Sequence, residues 1–332
     1  MKSFDVAEDS QVGSTRRAVT HIAEDAGMAE DECERLALIV TEACTNLVRH
    51  AAGGEMLVDV DSAGEAPVVT VIALDDGPGI PNVEAAMVDG YSTAAEQTKG
   101  IGGGLGAIQR QADDFDIHSA SHGTTLLARV GKPAGRSSRF DAAGLIVAKP
   151  GFDEGGDIFA VREEAAATFV TLVDVLGHGP NAATIAETAR EAFLGAAGRS
   201  LEETEAAMGE AIAGSRGAAA LVMELPHEGG VARAVGLGNV RGEIMTSDGD
   251  VHGIPSKPGI LGAVTRRPRP SEHPWAASSI LVMSTDGLKG SARVPEPRSL
   301  FFRRAALIAA TRYKLRRRGS DDAGVLVVRY DP

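Results

Sequence analysis

The chain has 332 residues and a formal net charge of −13, from 33 Lys and Arg against 46 Asp and Glu. That length suggests about two domains, and the acidic balance argues against general nucleic-acid binding and favours a soluble protein. Hydrophobic residues make up 43% but aromatics only 4%, so the cores must be built from Val, Leu, Ile and Ala. Cys33 and Cys44 are too few for a disulfide framework and have no Cys/His cluster beside them, which fits a reducing cytoplasm and no zinc site. The opening MKSFDVAEDS lacks the apolar core of a signal peptide, and no run reaches about 18 unbroken apolar residues, so neither a membrane span nor a membrane partner is expected.

In chain order, residues 3–6 read as a strand and 14–26 as a helix with Ala18, Ile22 and Ala26 on one face. Residues 29–52 read as a longer helix, because Leu36, Ile39, Val40, Ala43, Leu47 and Ala51 recur at helical spacing and Gly53–Gly54 stops it. Strands follow at 57–60 and 68–74, then glycine-bearing loops at 75–81 and 100–106, a helix over 105–112, and a closing hairpin of 115–119 with 124–130. The stretch GKPAGRSSR has linker composition. The expected organisation is a first unit over 1–130, a linker over 131–141 and a second unit over 142–332. In the second unit 158–161, 169–173, 280–283 and 325–328 read as strands, with an alanine-rich helix after Pro180 and another helix starting near Leu300. Lys314, Arg316, Arg317 and Arg318 are expected to solvate the end of that last helix, where positive charge suits the C-terminal dipole. Trp275 reads as a packed loop residue.

Three features of the first unit point to a nucleotide. Glu42 and Asn46 lie four residues apart on one helix face, with His50 one step further. A carboxylate and an amide there can order a nucleophile and ligate magnesium, although a solvated helix face looks the same. Asp75 directly follows an apolar strand and precedes Gly77-Pro-Gly79, placing a carboxylate where it could accept a hydrogen bond from an exocyclic amine. A simple strand-ending turn has the same pattern. Glycines at 100, 102, 103, 104 and 106 run into a helix, so free backbone N–H groups and a helix N-terminus could cradle phosphate. The loop is neither a P-loop nor a dinucleotide fingerprint.

In this order and spacing the three features resemble the GHKL ATPase family, and within it the anti-sigma-factor serine kinases and switch kinases, over roughly residues 3–130. The resemblance implies an α/β sandwich of the Bergerat type that binds ATP with Mg2+. By position it implies Glu42 as base, Asn46 as magnesium ligand, and Asp75 with Gly77 and Gly79 in the adenine box. Gly100, Gly102, Gly104 and Gly106 match the lid glycines, and Thr124 in Gly123-Thr124-Thr125 matches a late Gly-Thr turn. Tyr91-Ser92-Thr93 fits the switch-kinase branch. With no phosphoacceptor region, autophosphorylation on histidine is not implied.

The second unit carries acids at strand ends. Asp174 follows the apolar run 169–173 and precedes Gly177-His178-Gly179; Asp157 follows Gly155-Gly156; Asp286 follows the strand 280–283; Asp321 and Asp322 precede the strand 325–328. A single such Asp is usually a turn residue, but four sites in one domain point to a pair of divalent ions, which can generate hydroxide and clamp a phosphoryl group.

This arrangement resembles the SpoIIE-type branch of the metal-dependent serine/threonine protein phosphatases, over roughly residues 142–330, through Asp174-x-x-Gly-His-Gly179. It implies a type-2C-like α-β-β-α sandwich, and an α+β class for the chain. By position it implies two Mn2+ or Mg2+ ions bridged by Asp174, with the Val175 carbonyl as a ligand, Asp157 on the second ion, and Asp286 and Asp321 completing the first. Asp322 ranks behind Asp321. Arg162 is the one weak match to the phosphate-binding arginine of other type-2C enzymes, and His178 reads as structural, not catalytic. Together the resemblances imply a cytoplasmic signalling protein that dephosphorylates phosphoserine or phosphothreonine on a phosphorylated STAS-type anti-anti-sigma partner. The ATP-binding unit would then phosphorylate that partner or regulate the phosphatase. The alternative is that the first unit is a non-catalytic, nucleotide-sensing partner-switch module that binds a sigma-type factor, with catalysis confined to the second unit; a sigma or anti-sigma factor is then an expected partner. Switch kinases often act as dimers, so a homodimer is an expectation.

Overall fold

The computed structural model describes residues 1–62, 64–88, 104–132, 138–246, 249–263, 269–290 and 298–330. Its contacts divide the chain into two compact units, Met1–Ser137 and Ser138–Pro332.

The first unit runs β1 (Lys2–Val6), α1 (Asp9–Asp25), α2 (Glu30–Ala51), β2 (Gly54–Asp61), β3 (Val68–Leu74), a single turn α3 (Val83–Ala86), α4 (Leu105–Gln111), β4 (Asp114–Ala120) and β5 (Gly123–Val130). Its five strands form one antiparallel sheet in the order β1-β2-β3-β5-β4. The apolar stripe of α2 is what fastens the helices to it. Leu36, Ile39, Val40, Ala43 and Leu47 are buried in one cluster with Met56, Val69, Val71 and Ile108, so the polar positions between them, Glu42 and Asn46 included, remain half-buried. The helix stops where Ala52 takes a left-handed conformation (φ 58°). Both cysteines are buried, unpaired thiols inside this helix, and burial pushes that of Cys44 up to about 12.

The second unit runs β6 (Phe140–Val147), β7 (Asp157–Glu163), β8 (Ala167–Val175), α5 (Pro180–Leu194), α6 (Leu201–Ala211), β9 (Ala218–Pro226), β10 (Gly230–Leu237), β11 (Arg241–Met245), β12 (Val251–Ile254), β13 (Ser271–Trp275), β14 (Ile280–Ser284), a 3-10 turn (Arg298–Phe302), α7 (Ala305–Arg316) and β15 (Ala323–Tyr330). Two five-stranded antiparallel sheets result, β13-β10-β9-β8-β7 and β12-β11-β14-β15-β6. Leu172, Leu221, Met283 and Leu326 fill the space between them, while Ala186, Phe193, Leu201 and Met208 of α5 and α6 pack on the outer face of the first sheet. Helix α7 lies against β6 and β15. The layering is therefore α-β-β-α.

Four expectations change. The first strand of this unit begins at Phe140, inside the stretch read as linker. The last helix starts at Ala305, because Leu300 belongs to the preceding 3-10 turn. The basic run does not solvate a free helix end: Lys314 and Arg316 are 7% and 8% exposed. The backbone of this segment docks on the one after β14, with Lys289 N–H donating to the Arg316 carbonyl (2.8 Å) and Arg318 N–H to that of Gly287 (2.9 Å). Trp275 ends strand β13 and packs on Phe140 and Tyr330, so it is part of the core. No helix among the described residues is long and apolar enough to cross a membrane.

Candidate functional sites: an acidic cluster and the Asp75 turn

In the second unit the strand ends of both sheets bring the acids together. Asp157 opens β7 and Asp174 nearly closes β8, and the antiparallel register sets them directly opposite one another. From the other sheet, Thr285 follows β14; its hydroxyl donates to Asp157 Oδ2 (2.7 Å) and accepts from Gly324 N–H of β15 (2.8 Å). That hydroxyl ties the two sheets at the cluster. Asp286 comes next, and Asn239 Nδ2 donates to its Oδ2 (2.7 Å). Asp322 is buried and its two oxygens accept from the N–H groups of Lys149 (2.7 Å) and Gly156 (2.6 Å), so it shapes the loop ahead of Asp157. Asp321 beside it is exposed. Val175, buried, ends β8 and donates its N–H to the Gly156 carbonyl (3.2 Å).

The electrostatics follow from this crowding. Asp174 is pushed up to about 7, first by burial and then by the charges of Asp286, Asp321 and Asp322. Asp157 is held well above the ordinary carboxylate range by burial and by Asp174, against the opposing hydrogen bond from Thr285. Among the described residues no three His, Cys, Asp or Glu side chains already enclose an ion-sized space. The acids form an electrostatic neighbourhood, not a closed cage.

Arg162 does not reach this centre. It lies in β7 with its guanidinium buried, donating to the Phe193 carbonyl, Thr204 Oγ1 (3.4 Å) and Glu164 (3.0 Å), and stacked on Phe169 and Phe193. Its function is to pin α5 and α6 to the sheet. His178 is exposed, with its ring 4.4 Å from that of Phe152.

In the first unit the Asp75 turn is built as a unit with the β4–β5 hairpin. Asp75 Oδ1 accepts from Gly77 N–H (2.8 Å) and Thr124 N–H (3.1 Å), and Asp75 N–H donates to the Thr124 carbonyl (3.0 Å). Ser119 Oγ pairs with Thr124 Oγ1 (2.9 Å) and accepts from Ile80 N–H (2.7 Å). Gly79, at φ +76°, is required: a Cβ there would sit 2.0 Å from the Ala120 carbonyl oxygen. On α2, the Glu42 carboxyl is pushed up by burial, opposed by a hydrogen bond from the Gly104 N–H and by Arg49. Gly104 is the N-cap of α4 and Gly106 is buried within it, so the start of α4 approaches the Glu42 face of α2. Gly100, Gly102 and Tyr91-Ser92-Thr93 lie outside the described residues.

Reasoning from sequence did not single out Thr285, Asn239, the buried role of Asp322, or Ser119. A hydroxyl just before Asp286 was a legible signal for Thr285. Asn239 and Ser119 act across sheet partners and had none.

The histidine kinase-like ATPase domain family matches residues 6–130, and the stage II sporulation protein E (SpoIIE) family matches residues 164–331. The serine/threonine-protein kinase RsbT of Bacillus subtilis (strain 168) is 28% identical over 129 residues, which is 39% of this chain and 90% of RsbT. Among solved structures, one from the bacterial stressosome, described as a modular system adapted to control secondary messenger signaling, aligns with a TM-score of 0.53 at 23% identity over 58% of this chain and 100% of its own. RsbX in complex with magnesium aligns with a TM-score of 0.51 at 18% identity over 59% of this chain and 98% of its own. At these identities the structural likeness speaks to fold.

Proposed function

Because the chain belongs to the SpoIIE family, with a histidine kinase-like ATPase domain ahead of the SpoIIE domain, we propose that it works as both arms of a phosphorylation switch. The SpoIIE-type serine/threonine phosphatase unit removes phosphate from a STAS-type anti-anti-sigma partner. The ATPase-type unit binds ATP with Mg2+ and phosphorylates that partner or regulates the phosphatase.

The observation that carries the phosphatase arm is the Asp157–Asp174 pair across β7 and β8, whose carboxyls are raised by burial and by neighbouring acids. Such a set of hard oxygen donors fits Mn2+ or Mg2+. Asp174, Asp157, Asp286, Asp321 and the Val175 carbonyl would hold two ions. When bound, such ions lower the pKa of water and neutralise phosphoryl charge. Asn239 orients Asp286, Thr285 orients Asp157, and Asp322 fixes the preceding loop through backbone N–H groups. Asp321, at the exposed side of its pair, is left for a ligand, which supports its rank above Asp322.

In the ATPase-type unit Asp75 and Thr124, held by shared hydrogen bonds, form the adenine end of the pocket, while Glu42 meets the start of α4, with Asn46 one helical turn further along α2. The likeness to RsbT over this part of the chain supports the kinase reading. One observation favours the non-catalytic alternative, a nucleotide sensor that binds a sigma-type factor: the Glu42 carboxylate, as base, is already engaged by the Gly104 N–H.

The experiment is to incubate the full chain with Mn2+ and a serine-phosphorylated STAS protein. Phosphate release that Asp174→Ala abolishes is expected. Release unchanged in that variant would refute the metal-site assignment. Labelled ATP with the same unphosphorylated partner tests the other arm: transfer supports the kinase, and ATP binding without transfer supports the sensor.

A further inference from the structure

We propose that Arg216 receives the phosphoryl group of the substrate, a specificity-determining role that rests on the phosphatase reading above. Two divalent ions on the acids would meet the phosphoryl oxygens that face the metal centre, and a phosphate monoester arrives as a near-dianion, so a guanidinium on the outer side would bind the oxygens that remain. Arg162, the match suggested by sequence, is engaged inside the fold.

Arg216 occupies the turn between α6 and β9. That turn is fastened to the end of β8 by Leu176 N–H donating to the Gly217 carbonyl (3.1 Å), and Ser215 Oγ accepts from Gly217 N–H (3.0 Å). Leu176 is two residues beyond Asp174, so the fastening sets Arg216 on the Gly177 turn. Gly177, at φ +112°, has no side chain, and a Cβ there would be 2.8 Å from Arg216 Nη1. The guanidinium therefore lies against the turn that follows β8, at Gly177.

Its fork is open. Arg190, Arg233 and Arg312 of this unit each face a glutamate. Arg216 is exposed and makes no hydrogen bond or ion pair among the described residues. A planar guanidinium presents paired donors that match phosphate oxygens, so an unengaged one on the Gly177 turn, three residues beyond Asp174, is suited to a phosphoryl group. Across the same turn Phe152 and Leu176 are 41% and 45% exposed. They offer an apolar shoulder for the chain on either side of the phosphorylated residue.

Hydrolysis breaks the ester P–O bond, joins the oxygen of water to phosphorus, and returns a proton to the serine oxygen. Inorganic phosphate leaves with the oxygens that Arg216 would hold, so phosphate binding reports the contact directly.

The test uses the Mn2+-loaded full chain, with phosphoserine-peptide kinetics and calorimetric titration of inorganic phosphate. Arg216→Ala should raise the KM and the phosphate dissociation constant each by about tenfold, the scale of one charge-assisted contact. It should leave kcat within about threefold and leave Mn2+ affinity and the melting temperature unchanged, and Arg216→Lys should recover part of the loss. Three outcomes overturn the proposal in an active wild type: KM and phosphate binding both unchanged, KM raised with phosphate binding unchanged (a contact to the peptide alone), or kcat and Mn2+ affinity falling together (a support for the metal centre). A wild type that neither binds Mn2+ nor hydrolyses the peptide fails the phosphatase reading itself, and the proposal with it.

Discussion

Asp174 shows most directly how one residue's surroundings set its chemistry. Its carboxyl is pushed up to about 7 by burial and by Asp286, Asp321 and Asp322, against about 3.9 in an unfolded chain. A folded-state value above the unfolded one means that the metal-free fold prefers the proton. The associated stability is fully present below about pH 4 and is lost as pH rises through about 7. In EDTA the phosphatase unit should therefore melt at a lower temperature at pH 8 than at pH 5, with a cost of a few kcal/mol on the order set by that shift. Millimolar Mn2+ should remove the difference, because the cation replaces the proton, and Asp174→Asn should reduce it. A melting temperature independent of pH in EDTA would contradict the coupling of these acids. Asp75 belongs to the same scale. Its Oδ1 holds Gly77 and Thr124, so Asp75→Asn keeps an acceptor for the turn while exchanging a carboxylate for an amide. Calorimetry should show ATP affinity reduced by about tenfold or more with the melting temperature nearly unchanged. Unaltered affinity would remove Asp75 from the pocket.

At the scale of elements, two contacts decide whether helices and turns stay where the sites need them. The guanidinium of Arg162 is shared among α5, α6 and the turn after its own strand, through Phe193, Thr204 and Glu164. Arg162→Ala should destabilise the phosphatase unit by about 3–5 kcal/mol, since it leaves buried acceptors without a partner. Thermal unfolding of the variant measures this, and a change below about 1 kcal/mol would mean that the pin is dispensable. In the ATPase-type unit, Gly79→Ala pushes a methyl into the Ala120 carbonyl from a left-handed backbone. It should cost at least about 2 kcal/mol and weaken ATP binding, because the Asp75 turn must move off the β4–β5 hairpin. Most of these elements were legible beforehand, since α2 carries an unbroken helical stripe and β8 an apolar run ended by Asp174. The start of α7 was not. Leu300 and Phe301 look helical locally, but they form a 3-10 turn, and the carbonyl oxygens of Phe301 and Arg303 accept from the distant Arg329 guanidinium.

At the scale of the whole chain, each unit has its own buried core and its own proposed ligand. The prediction is two thermal transitions with separate ligand responses: ATP with Mg2+ raises one, Mn2+ raises the other, and Asp75→Asn and Asp174→Asn each abolish only their own shift. One transition shifted by both ligands would show that the units unfold together. By itself the sequence determined the two-part organisation, the helical or extended character of most segments, and the motifs around Glu42, Asp75 and Asp174. All of these are written in local periodicity or in residues close along the chain. Tertiary structure alone decided which partners those residues meet. Asp157 faces Asp174 because β7 and β8 pair in that register. Thr285 and Asn239 reach the acids from strand ends far along the chain. Arg162 is withdrawn into the core while Arg216 lies on the Gly177 turn. A side chain's partner across a sheet depends on strand order and register, and those are set by burial over the whole unit, not by the neighbours of any one residue.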